Sequence, residues 1–152
     1  MNHSVKILVL GAVAIVVLFG LIQLIPYGQN HTNPPVVQEP PWPDPGTRAL
    51  AVRACFDCHS NQTNWNVWSN IAPFSWVILH DVESGRRTLN FSEWTASQRG
   101  AREMARSVQS GSMPRWFYLP IHPEANLTAA ERQQLVNGLQ TIGGGASGGS
   151  GD

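Results

Sequence analysis

The sequence predicts an all-α fold, a small helical domain preceded by a single transmembrane helix, on three observations. No stretch keeps the apolar–polar alternation of a half-buried strand over a useful length. Four separate stretches carry helix start signals or a helical apolar period. The chain also opens with one long apolar run, Val5 to Ile25, interrupted only by Lys6 and Gln23.

As a helix that run is about 31 Å long, close to the roughly 30 Å hydrocarbon core of a bilayer. A cleaved signal peptide would have a shorter apolar region ending in an A-x-A-like site. This one ends IQLIPYGQN, with no such site and no cysteine to carry a lipid. Residues 1–25 are therefore expected to be an uncleaved signal anchor. Lys6 is the only Lys or Arg before Arg48. By the positive-inside rule the short N-terminus stays in the cytoplasm and everything after Pro26 lies outside.

Residues 26–47 hold seven of the chain's 11 prolines. Proline fixes φ and donates no amide hydrogen, so an extended, stiff linker is expected, spanning at most roughly 68 Å. It reads either as a free tether or as a segment laid along a partner's surface through Val36, Val37 and Trp42. Residues 143–152, GGGASGGSGD, read as a flexible Gly/Ser-rich tail.

The domain between them, residues 48–142, is small enough to have a limited core of its own. Its first helix is expected from about Thr47 through Cys58. A second follows Pro73, carries Phe74, Trp76, Val77 and His80, and closes at Gly85. A third starts at Ser92 as N-cap and puts Trp94, Ala101, Met104, Ala105 and Val108 on one face. The last opens with Thr128 and Glu131 in capping-box spacing and presents Leu135, Val136, Leu139 and Ile142.

Net charge is +0 and only 13% of residues are charged, with no basic run, so no nucleic-acid partner is indicated. The chemistry is concentrated in ACFDCHSNQTNW, which holds both cysteines of the chain. A thioredoxin-like dithiol needs a βαβ context, and a structural zinc site usually needs a second cysteine pair. CxxCH is the attachment motif for haem c. On one helical turn Cys55 and Cys58 can both reach the vinyl groups, and His59 can turn beneath the ring to bind iron. Such attachment follows export, in agreement with the anchor.

The sixth iron position has several candidates. Met113, in SGSMPRW, sits in a loop where the following proline opposes helix, leaving its thioether free to point inward. Met104, on an apolar helix face, reads as core packing. His80 and His122 would give a bis-histidine site, and a vacant position is the remaining possibility.

CHSNQTNWNVWSNIAPFSWVILHDVESGRRTLNFSEW, followed by MPRWFYLPIHPEANLTAAE, resembles the bacterial haem-binding domain family of small monohaem c-type cytochromes. The resemblance covers nearly all of Cys55 to Glu131. It implies a single covalent haem c with His59 as proximal ligand and Met113 at the late Met-Pro position. Asn66-Val67-Trp68 departs from the aromatic run expected there, and Arg115 stands where a second proline is common.

The expected function is one-electron transfer, without enzymatic activity, on the outer, periplasmic face of a bacterial cytoplasmic membrane. Trp65, Trp68, Trp76 and Trp116 are expected to wall the haem. Arg86, Arg87 and Arg115 are possible propionate partners. Partners would be the membrane, through the N-terminal helix, and redox proteins or subunits of a membrane complex. One alternative is an accessory haem subunit of a respiratory or photosynthetic complex. Another is a gas sensor or peroxidase, which needs an open sixth position.

Overall fold

The computed structural model describes residues 2–95 and 98–145. The described residues are helical and contain no strand. Their one bridge is an isolated parallel pairing of Gln38 with Glu93. They divide into two units, Met1–Thr32 with Trp65–Asp81, and Asn33–Asn64 with Val82 onward.

In the first unit α1 spans His3–Ile22, and by length and composition it is apolar enough to cross a membrane. None of its residues is buried. The helix stops before the end of the apolar run because Pro26 biases the residue before it away from helical geometry. Gln23, Leu24 and Ile25 continue only as single turns.

The rest of this unit folds against the end of α1. Both ends of the Gln23 side-chain amide pair with the backbone of Ala72, Nε2 donating to its carbonyl (3.0 Å) and Oε1 accepting from its N–H (2.9 Å). His31 Nε2 donates to the Ser69 carbonyl at 2.8 Å, and its ring stacks on Trp65 at 4.8 Å. Gly28, at φ 88°, lies so close to Ser75 that a Cβ would meet its carbonyl carbon at 2.7 Å. A 3₁₀ turn covers Val67–Asn70, its first N–H groups capped by Asn66, and α4 (Phe74–Thr88) begins after Pro73.

In the second unit α2 spans Pro45–Ala54. Asp44 caps it by accepting from Thr47 N (2.9 Å), and Pro45 occupies the first turn, where a missing N–H costs nothing. The first helix therefore starts earlier than expected. It is also interrupted, since Cys55 leaves helical geometry (φ −132°) and α3 (Phe56–His59) forms a separate turn. Then come α5 (Met104–Gln109) and α6 (Ala129–Gly145). A close approach joins α2 to α6: a Cβ on Gly138 would lie 2.3 Å from Thr47 Cγ2. Phe91, Leu135, Leu139 and Val136 are at the centre of the core.

Three expectations need correction here. The third helix does not begin at Ser92. That residue is fully buried, its hydroxyl accepts from Asn61 N (2.9 Å) and its carbonyl accepts from Val37 and Gln38, so it joins distant segments instead of capping a helix. Gly85 does not close the second helix, which runs on to Thr88. From Asn33 onward the proline-rich stretch is extended but not free. Asn33 donates to the Thr63 carbonyl, Asn61 donates to the Pro35 carbonyl, Trp94 N donates to the Gln38 carbonyl, and Trp42 packs against the core.

The capping box is formed. Thr128 N donates to Glu131 Oε2 (2.8 Å), and Glu131 N donates back to Thr128 Oγ1 (3.3 Å). Arg53 adds an ion pair at 2.7 Å. Arg53 first, then Thr128, holds the Glu131 carboxyl down to about 2 from 4.5. Because the folded value is the lower one, the carboxylate stabilises the fold above about 4.5, and this is lost as pH falls through about 2. The difference in melting temperature between wild type and Glu131→Gln is expected to shrink over that window and vanish below it. A pH-independent difference would contradict the assignment. Gly143–Gly145 of the expected tail continue α6, and residues 146–152 lie outside the described residues.

Candidate functional site

Cys55, Cys58 and His59 are brought together by one tight turn. Cys58 N and His59 N both donate to the Cys55 carbonyl, at 3.2 and 2.9 Å. Neither cysteine is in a disulfide. Cys55 keeps part of its surface exposed, yet its surroundings push the thiol up to about 12, burial contributing most and the Cys58 charge adding to it.

His59 is oriented by the backbone. Its Nδ1 donates to the Leu89 carbonyl at 3.1 Å, and since a carbonyl only accepts, the proton sits on Nδ1. The lone pair is then on Nε2, the atom left for a metal. Burial lowers the imidazole's pKa, the Leu89 and Gly85 carbonyls oppose this, and Arg115 lowers it further.

The residues after His59 are clamped one by one. Ser60 Oγ donates to the Phe56 carbonyl, Asn61 Oδ1 accepts from Asn90, and Thr63 Oγ1 donates to the Asp57 carbonyl. Phe91 N donates to the His59 carbonyl at 2.8 Å. Arg86 donates to the Ser60 carbonyl, Thr63 Oγ1 and Asn33 Oδ1. That explains Ser60, Asn61 and Thr63 as side chains that fix the turn. It also gives Arg86, expected as a propionate partner, a structural task. Arg87 sits on the surface beside Ser84 and Glu83. The charge of Arg115 acts on His59.

The distal candidates separate by their surroundings. Cys55 and Met113 are both half-buried and pack against the same core. Met104 belongs to that core itself, 6% exposed, and its Cε lies 3.2 Å from where a Cβ on Gly143 would stand. His122 is engaged elsewhere, donating from Nδ1 to Glu124 (3.0 Å) and stacking on Tyr118 at 3.9 Å. Tyr118 in turn donates to Asp57 at 2.7 Å. His80 is exposed and belongs to the first unit.

Of the tryptophans expected around the haem, Trp116 is in the unit that carries the motif and is 81% exposed, with Phe117 and Ile121 exposed nearby in sequence. Trp65, Trp68 and Trp76 belong to the first unit. There Ser69 Oγ, Ser75 Oγ and Trp76 Nε1 are buried without a hydrogen-bond partner among the described residues.

Two features of the site are not legible from the sequence in the role they have here. The Leu89 carbonyl is a backbone group. Gly85 is signalled only as a glycine inside a helical pattern, and its reason is steric: a Cβ there would lie 2.2 Å from the Cys58 carbonyl oxygen.

This set fits a haem. It has two thiols on one turn, an imidazole with Nε2 as its lone-pair nitrogen, a thioether against the same core, and exposed apolar residues following Met113. The family model described as the haem-binding domain matches residues 17–141. No curated protein and no solved structure matches the chain.

Proposed function

We propose, since the chain belongs to the haem-binding domain family, that it is a membrane-anchored monohaem cytochrome c that carries single electrons. Cys55 and Cys58 would hold the haem through thioethers, and His59 and Met113 would bind its iron. The observation that carries this reading is the His59–Leu89 hydrogen bond on the turn that also carries Cys55 and Cys58, which presents Nε2 in a fixed orientation.

When bound, the haem supplies a reversible one-electron change at iron. The chain's own residues do the rest. The Leu89 carbonyl fixes the tautomer of His59 and adds basicity to it. The clamps on Ser60, Asn61 and Thr63 hold the turn against tilting when a ligand is pulled. Burial around Cys55 and His59 lowers the local dielectric, and Arg115 adds a positive charge that favours the reduced state. Methionine ligation would raise the potential relative to bis-histidine. The apolar α1 supports a single-pass membrane anchor; the membrane would be a bacterial cytoplasmic membrane, with the domain on its outer side by the Lys6 asymmetry. Donor and acceptor would be redox proteins or subunits of a membrane complex.

The test is carbon monoxide added to the reduced holoprotein in detergent. An unchanged spectrum is expected from a site with both axial positions filled. A shifted Soret band would instead indicate a ligand-binding haem.

A further inference from the structure

The first unit carries an unusual surface beside the end of α1. Its segments 7–32 and 65–80 contain no Asp, Glu, Lys or Arg. A solvated helix face normally bears charge, because water stabilises it and it blocks association. Here Val67, Trp68, Phe74 and Val77 are exposed instead, at 66%, 46%, 53% and 54%. Trp68 and Phe74 form an edge-to-face pair at 5.4 Å, and Phe74 and Val77 lie one turn apart on α4.

The clasp described above fixes where this surface is. The Gln23 amide holds Ala72, two residues before Phe74, at the C-terminal end of α1. Leu24 and Ile25, exposed at 78% and 44%, follow Gln23 directly. The clasp also satisfies both ends of the polar side chain that directly follows the apolar helix. His31 on Ser69 and Gly28 on Ser75 hold the same segment in place.

We infer that Val67, Trp68, Phe74 and Val77, with Leu24 and Ile25, form a surface that lies in the headgroup–acyl boundary of the bilayer entered by α1. This rests on the reading of α1 as membrane-spanning. Its occupant is lipid, because the surface has no charge to pair with a protein partner and continues the apolar anchor. Tryptophan and phenylalanine beside an uncharged amide-and-hydroxyl rim suit that interface. The role of the surface is to fix the first unit to the membrane, so that the anchor does not end in a free linker.

The test uses the full-length holoprotein in phosphatidylcholine–phosphatidylglycerol vesicles containing a lipid with a diazirine next to the glycerol. After irradiation, adducts are located by tandem mass spectrometry. Adducts are expected on α1 and also within residues 65–77, above all at Trp68 and Phe74. In Gln23→Leu, which keeps α1 apolar but breaks the clasp, those on residues 65–77 are expected to be lost while those on α1 remain. Adducts on α1 alone in the wild type would overturn the inference and leave the anchor standing. Adducts on neither would overturn both. Labelling of residues 65–77 that is unchanged in Gln23→Leu would overturn the clasp as its cause.

Discussion

Gly85→Ala is expected to impair the site more than any other single-methyl change in the chain. The added Cβ would fall 2.2 Å from the Cys58 carbonyl oxygen and 2.9 Å from its carbonyl carbon. Both are backbone atoms, so no rotamer relieves the clash, and α4 has to move away from the motif. Leu89 N is bonded to the Gly85 carbonyl at 2.9 Å, so that shift carries away the carbonyl that orients His59. Overpacking of this kind costs about 1–3 kcal/mol, occasionally more. The loss of stability should come with less haem incorporated and with a perturbed low-spin spectrum in the fraction that is loaded. Denaturant titration and haem-to-protein ratio measure the two effects. Wild-type values for both would mean that the packing of α4 against the turn does not set the site.

Met113→Ala is expected to leave the thioethers intact and empty the sixth position. The ferric charge-transfer band of sulfur ligation should disappear, the potential should fall, and the reduced protein should begin to bind carbon monoxide. Met104→Ala should keep the band and mainly lose stability, about 2–5 kcal/mol for a side chain as buried as this one. The two variants form a pair because both methionines meet the same core, one as a member and one at its margin. If Met104→Ala removed the band and Met113→Ala kept it, the ligand would be on α5. If both kept the wild-type spectrum, His80 or His122 would be the ligand.

What the sequence revealed was local. The Thr128–Glu131 box reads directly because cap and partner are three residues apart, and both of its reciprocal bonds are formed. The apolar α1 and the CxxCH turn are equally self-contained. Ser92 misled because the same hydroxyl that caps helices can bond a distant backbone, here Asn61 N, and nothing nearby in the sequence distinguishes the two. Gly85 misled in a related way, since a glycine late in a helical pattern marks either a C-cap or a close approach. The proline content of residues 26–47 predicts an extended stretch, yet α2 begins within it at Pro45. Composition, however, says nothing of where an extended chain lies, and the bonds of Asn33, Pro35 and Gln38 are to residues far along the sequence. Leu89 was invisible for a deeper reason, because a backbone carbonyl acts through its position and not its residue type.

Cys55, Cys58 and His59 are proposed to make a covalent haem site. Intact mass of the purified protein under denaturing, acidic conditions tests it most directly, because only thioether-bound haem survives them. The account predicts the chain plus one haem for the wild type, and loss of that adduct when Cys55 and Cys58 are both replaced by alanine. An unmodified chain mass for a wild-type protein isolated from a host with a working haem-attachment system would contradict it.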